Sequence, residues 1–83
     1  MEEWNLPTAF ILLSIKPGMD FEIYKKLNRE DIAEIYQVFG LYDMIIKTKE
    51  IEDMNKIEQI LAYIRQLEGI TNTITMLVRI SAP

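Results

Sequence analysis

Residues Ile32 to Lys49 read IAEIYQVFGLYDMIIKTK, and this stretch decides the fold. Ile32 to Phe39 is rich in β-branched and aromatic residues, which suit a pleated, half-buried strand. Gly40 and Leu41 interrupt it, and Tyr42 to Lys49 repeats the strand character. So short a gap predicts a hairpin. A polar break, Asn28-Arg29-Glu30-Asp31, precedes the hairpin, and an acidic stretch, Glu50, Glu52 and Asp53, follows it.

Outward from the hairpin the chain is nearly symmetric. On the N-terminal side, Asp20 to Asn28 has Phe21, Tyr24 and Leu27 at three-residue intervals with Ile23 beside them, which predicts a helix with one apolar stripe. Before it, Ala9 to Lys16 is an apolar run stopped by Pro17-Gly18, a turn signal, and its length fits a strand. On the C-terminal side, Met54, Ile57, Leu61 and Ile64 fall at helical spacing within Asp53 to Gln66, widened by Ile60 and Leu67. Asp53 is placed to cap this helix and Gly69 to stop it. Ile70 to Ile80 then alternates regularly as a last strand. The order strand, helix, strand, strand, helix, strand is the split βαβ pattern of ferredoxin-like folds. The expected class is α+β, with a four-stranded antiparallel sheet covered on one face by two helices. Residues 1–8 read as a lead-in and 9–83 as a single domain.

The strands are apolar on both sides. Ala9, Ile11, Leu13 and Ile15 share one side of the first, yet Phe10 and Leu12 occupy the other. Tyr42, Met44 and Ile46 oppose Asp43, Ile45 and Lys47 in the third. In the fourth, Ile74, Met76, Val78 and Ile80 oppose Thr73, Thr75, Leu77 and Arg79. A sheet with one wet face alternates more cleanly between apolar and polar. One face meets the helices, and a second copy of the chain is expected to cover the other by sheet-on-sheet packing. The size agrees, because 83 residues without a disulfide build a modest core.

Composition narrows the function. There are 9 Lys plus Arg against 13 Asp plus Glu, a net charge of −4, with a pI near 4.7. That balance argues against direct nucleic-acid binding, which needs a basic patch. Absence of Cys and His removes thiolate metal sites, cysteine nucleophiles and the commonest general base. The longest apolar run, Ala9 to Leu13, is far short of the roughly 20 residues that span a bilayer. The acidic start Met1-Glu2-Glu3-Trp4 lacks the basic region of a signal peptide, so a cytoplasmic location and no membrane partner are expected. The acids at 50, 52 and 53 suit a helix N-terminus and do not match an EF-hand, so no metal or cofactor is expected. Tyr24, Tyr36, Tyr42 and Tyr63 lack a nucleic-acid motif around them and read as packing residues.

Two motifs remain. Gly40-Leu41-Tyr42-Asp43 reads in two ways. The turn amides suit a ligand carboxylate and Asp43 an ammonium group; alternatively, Gly-x-x-Asp is simply a good turn whose Asp bonds nearby amides. Thr71, Thr73 and Thr75 form a hydroxyl row on one face of the last strand. Such a row suits a small polar ligand, or reflects only the β propensity of Thr.

The segment Val38-Phe39-Gly40-Leu41-Tyr42-Asp43-Met44-Ile45, then a helix, then Leu67-Glu68-Gly69-Ile70-Thr71-Asn72-Thr73-Ile74-Thr75, resembles the effector-binding RAM domain of the leucine-responsive regulatory protein/AsnC (Lrp/AsnC) family. Ile70 stands where that family has valine, Leu41 where it often has a polar residue, and Lys16-Pro17-Gly18 also fits. The resemblance runs from about Ala9 to Ile80. It implies a homodimer of the dimeric α+β barrel type, assembling further into an octamer or similar ring. It also implies an amino acid effector bound between dimers by Gly40, Leu41, Tyr42 and Asp43 on one side and Thr71, Thr73 and Thr75 on the other. Family members carry a helix-turn-helix domain, and only eight residues precede the first strand here. The expectation is therefore a stand-alone, non-catalytic sensing and oligomerisation module in transcription regulation or amino acid metabolism, with full-length relatives as further partners. Two rivals stay open at this point: a small ferredoxin-like dimeric enzyme of monooxygenase or isomerase type, and a purely structural assembly protein.

Overall fold

In a computed structural model, which describes residues 7–78, the chain runs β1 (Thr8–Ile15), α1 (Asp20–Leu27), β2 (Ile32–Gln37), β3 (Met44–Thr48), α2 (Met54–Arg65) and β4 (Ile70–Val78). The four strands form one sheet in the order β2-β3-β1-β4, antiparallel at every pairing. This is the expected ferredoxin-like α+β arrangement. Thr8 already belongs to β1, one residue before the expected start. Arg79 and Ile80, expected in the last strand, lie outside the described residues, as does most of the lead-in.

Register divides the side chains between the faces. Ile11 faces Ile46 and Thr75 across its two neighbours, and Leu13 faces Met44 and Thr73. Ala9, Ile11, Leu13, Met44 and Ile46 are fully buried. They form one cluster with Ile23 and Leu27 of α1 and Ile57, Ile60, Leu61 and Ile64 of α2. Both helices therefore lie on that face. Thr48 is buried with them. Its Oγ1 accepts from the Ala9 N–H at 2.9 Å and donates to the Lys49 carbonyl at 2.9 Å, so its polar atom is satisfied.

The other face carries Phe10 and Leu12 from β1, Ile45 from β3, and Ile74, Met76 and Val78 from β4. Among the described residues no helix covers it, and Ile74 and Met76 are exposed. A polar fringe lies on the β2 side. Glu34 stands opposite Lys47, and the Tyr36 hydroxyl donates to Glu34 Oε1 at 2.6 Å. That hydrogen bond to the Glu34 carboxylate raises the Tyr36 hydroxyl above its usual pKa, so the phenol stays neutral.

The second helix matches its pattern, except that Met54 is exposed. Asp53 caps it, its side chain accepting from the Asn55 N–H at 3.0 Å. Gly69 takes φ +104° beyond the helix end, where a Cβ would lie 2.9 Å from Met19 Sδ. The first helix corrects the expectation. Ile23 and Leu27 are buried, whereas Phe21 is 67% and Tyr24 44% exposed. Phe21 lies about 140° round the helix from the midpoint of Ile23 and Leu27, so one stripe cannot hold all four. Lys25 instead lies over the Phe21 ring at 4.7 Å. Tyr36 is likewise exposed rather than packed. The hairpin strands are shorter than expected, ending at Gln37 and resuming at Met44.

Thr48→Val keeps the shape of the side chain but strands the buried Ala9 N–H. Urea denaturation followed by circular dichroism is expected to show a loss of about 1–3 kcal/mol. Ile11→Ala, which opens a cavity in the core, is expected to cost about 2–5 kcal/mol by the same measurement.

Candidate functional site

The connection between β2 and β3 is closed by a hydrogen bond from the Val38 N–H to the Asp43 carbonyl at 3.0 Å. Gly40 sits within it at φ +137°, a conformation side chains resist. The residues on either side, Phe39 and Leu41, are almost wholly exposed. Tyr42 and Asp43 turn inward and are half-buried. The Asp43 N–H donates to the Leu13 carbonyl at 2.8 Å, and Asp43 Oδ2 accepts from the Ile15 N–H at 2.7 Å. Gly-x-x-Asp thus closes a turn, and the Asp43 carboxylate holds the amide of Ile15, 28 residues away in sequence, rather than one nearby. Among the described residues, Asp43 Oδ1 has no hydrogen-bond partner.

On the far side of β1, Thr73 and Thr75 stand opposite Leu13 and Ile11 and so share the helix-bearing face. Both are half-buried at the sheet edge. Thr71 departs from the expected row. The β1–β4 register shifts between Ser14 and Ile15, which breaks the alternation at Thr71 and leaves it exposed. Its Oγ1 donates to the Ser14 carbonyl at 3.2 Å. The Ser14 carbonyl and the Ile15 N–H belong to one peptide group. Asp43 holds that group from the β3 side and Thr71 from the β4 side. The two motifs, 28 residues apart in sequence, are thus tied to a single peptide unit at the end of β1, about 10 Å apart across one strand.

Around the start of β4, Arg65, Ile70, Thr71, Asn72 and Thr73 line an open recess of about 300 Å³. Arg65 was not legible as a site residue. A basic residue in the last turn of a helix is expected for the helix's own sake, since it complements the terminal carbonyls. Here Arg65, Thr71, Asn72 and Thr73 line the same space. Among the described residues Arg65 forms no ion pair. A cation beside hydroxyl and amide groups is suited to a carboxylate. Gly40, Leu41, Tyr42, Asp43 and Thr75 do not line this recess, so within one chain the two motifs are joined through β1 but do not share a cavity.

Asp43→Ala is expected to lower stability by about 1–3 kcal/mol, because the Ile15 N–H loses its partner. Thr71→Val should cost less, as its hydroxyl is exposed. Since both act on one peptide group, urea denaturation of the two single variants and the double variant should reveal a coupling of about 0.5 kcal/mol or more.

No protein-family model matches the chain. The HTH-type transcriptional regulator FL11 of Pyrococcus furiosus is 38% identical over 73 residues, covering 84% of this chain and 46% of FL11. This chain therefore spans less than half the length of that regulator. The crystal structure of FFRP-DM1 superposes with a TM-score of 0.80 at 32% identity, covering 88% of this chain and 99% of that one. The Neisseria meningitidis transcriptional regulator NMB0573, solved in complex with L-Met, shares the fold at 20% identity, with a TM-score of 0.73 over 87% of this chain and 49% of its own. The chain belongs to the Lrp/AsnC family, and its residues cover that family's small RAM-type domain.

Proposed function

We propose that this chain is a non-catalytic module that binds an amino acid effector and oligomerises, serving transcription regulation or amino acid metabolism. The observation that carries this reading is the recess at the start of β4, where Arg65 stands beside Thr71, Asn72 and Thr73. An α-carboxylate suits the guanidinium and the hydroxyls. An α-ammonium needs an acceptor, which the recess does not itself offer from a carboxylate. Asp43 supplies one, with Oδ2 engaged by the Ile15 N–H and its other oxygen available. Because Asp43 and the recess lie on opposite sides of β1, a ligand that meets both sits between two copies. Gly40, Leu41, Tyr42 and Asp43 come from one copy, and Arg65, Thr71 and Thr73, with Thr75 at the margin, from the other. Effector binding and assembly are then thermodynamically linked. NMB0573, a protein of the same fold, was solved with L-Met, which supports an amino acid as the ligand class.

The uncovered sheet face supplies a second contact. Phe10, Leu12, Ile45, Ile74, Met76 and Val78 form an apolar surface that a second sheet covers in a homodimer, about 10 Å away. The fringe of Glu34 and Lys47 lies to one side of it and sets the orientation of the pair. FL11 is a transcriptional regulator, and full-length relatives of that kind are proposed as co-assembly partners.

A thermal melt with each of the twenty amino acids tests the effector. A ligand at about 100 times its dissociation constant adds roughly 2.7 kcal/mol, which raises the midpoint by several degrees. The shift is expected for one or a few amino acids and is expected to vanish in Arg65→Gln, whose exposed side chain leaves the fold intact; a flat panel would refute amino acid sensing. For assembly, light scattering should report a dimer or larger in the native chain. Ile74→Lys with Met76→Lys should give a smaller, still folded species, because neither side chain belongs to the helix-covered core. Unchanged mass would mean that this face is not the interface.

A further inference from the structure

Phe39 and Leu41, on either side of Gly40, are 106% and 93% exposed, more than any other large apolar side chain among the described residues. They do not hang on a loose loop. The bond from the Val38 N–H to the Asp43 carbonyl closes the turn, and Asp43 ties it to β1 through its own N–H and through Oδ2. A Cβ built on Gly40 would meet nothing within 4 Å, so the space beside the turn is open. Two apolar side chains held out in this way leave water only when something from outside the chain covers them.

Charge is sparse in this part of the molecule. Asp43 is the one charged residue in the stretch from Val38 to Asp43, and Arg65 is the one charged residue lining the recess at the start of β4. Lys16 and Glu68, close to that recess along the chain, do not line it. The opposite end of the sheet is built differently: a cavity of about 430 Å³ there is lined by Arg29, Lys49 and Lys56 mixed with Glu30, Asp31 and Glu50. In the effector reading, Arg65 takes the α-carboxylate and Asp43 the α-ammonium, and both charges are then used. A charged side chain on the effector would find no partner in either motif, and a desolvated charge without a partner is costly. The α groups are common to every amino acid, so selection falls to the side chains that remain.

Resting on the effector reading above, we infer that Phe39 and Leu41 are specificity-determining residues, and that they make the effector an amino acid with a bulky, uncharged, apolar side chain, such as leucine or methionine. Covering that side chain takes Phe39 and Leu41 out of water at the same time, which adds to affinity in proportion to the apolar area lost. Polar side chains of the same length gain less and give up their own hydration.

Isothermal titration calorimetry of the whole chain with the twenty amino acids tests this, read on sets of similar shape: L-leucine against L-asparagine, and L-methionine against L-glutamate and L-lysine. The apolar member of each set is expected to bind at least about tenfold more tightly. In the double variant Phe39→Ser with Leu41→Ser that preference should fall by at least about threefold, with an unchanged circular dichroism spectrum because both side chains are exposed. Tighter binding of asparagine, glutamate or lysine would overturn the inference and leave amino acid sensing intact. Preference retained by the double variant would overturn it as well, and if light scattering then shows a smaller particle, the pair belongs to assembly instead. Binding of none of the twenty would overturn the effector reading and this inference with it.

Discussion

Strand β1 must be satisfied on four sides at once, and the rest of the molecule follows from that. Its edges are hydrogen-bonded to β3 and β4. One face buries Ala9, Ile11, Leu13 and Ile15 under two helices. The other presents Phe10 and Leu12 to whatever covers the sheet. Where the strand ends, its regular ladder ends too, and the Ser14–Ile15 peptide is held from outside the ladder by Asp43 and Thr71. A buried peptide group without partners is costly. The two motifs that look like ligand chemistry are therefore also the groups that finish the central strand. Structure and binding are not competing explanations for Asp43. One oxygen does the first and leaves the other available.

From Thr73 to Val78, Ile74, Met76 and Val78 point away from the helices, and Thr73, Thr75 and Leu77 point toward them. Two threonines thus stand on the helix side at this edge, where a two-layer fold usually places apolar residues. The helices cover it incompletely, so Thr73 and Thr75 remain half-buried and the recess beside Arg65 stays open. The strand's apolar half goes instead to the shared face with Phe10, Leu12 and Ile45. A polar margin on the helix side and an apolar sheet on the other leave the strand with two chemically distinct faces.

Much of this was readable in order of residues. The six elements, the cap at Asp53, the stop at Gly69 and the division of β1, β3 and β4 into two faces all follow from local periodicity and turn chemistry. The departures arise where tertiary placement overrides a local pattern. Phe21 and Tyr24 read as one group with Ile23 and Leu27 because three-residue spacing looks like a stripe over two turns. Only the placement of the sheet selects which side of so short a helix is buried. Thr71 reads as part of a row with Thr73 and Thr75 because strand alternation does not reveal where the register shifts. Arg65 carries no such signal because a basic residue at a helix end already has a local reason to be there.

What the sequence determined by itself is the element order and the inward or outward sense of most strand residues. Those depend on periods of 2 and 3.6 residues and on turns, all of which act within a few positions. What only the tertiary structure decided is which distant groups meet. Asp43 and Thr71 converge on one peptide because β1 lies between β3 and β4. Arg65 lines one recess with Thr71 and Thr73 because α2 returns beside β4. Arg29, Lys49 and Lys56 face one cavity because three connections close the same end of the sheet. Sequence carries no signal for such meetings, because each partner is chosen by the topology rather than by its neighbours along the chain.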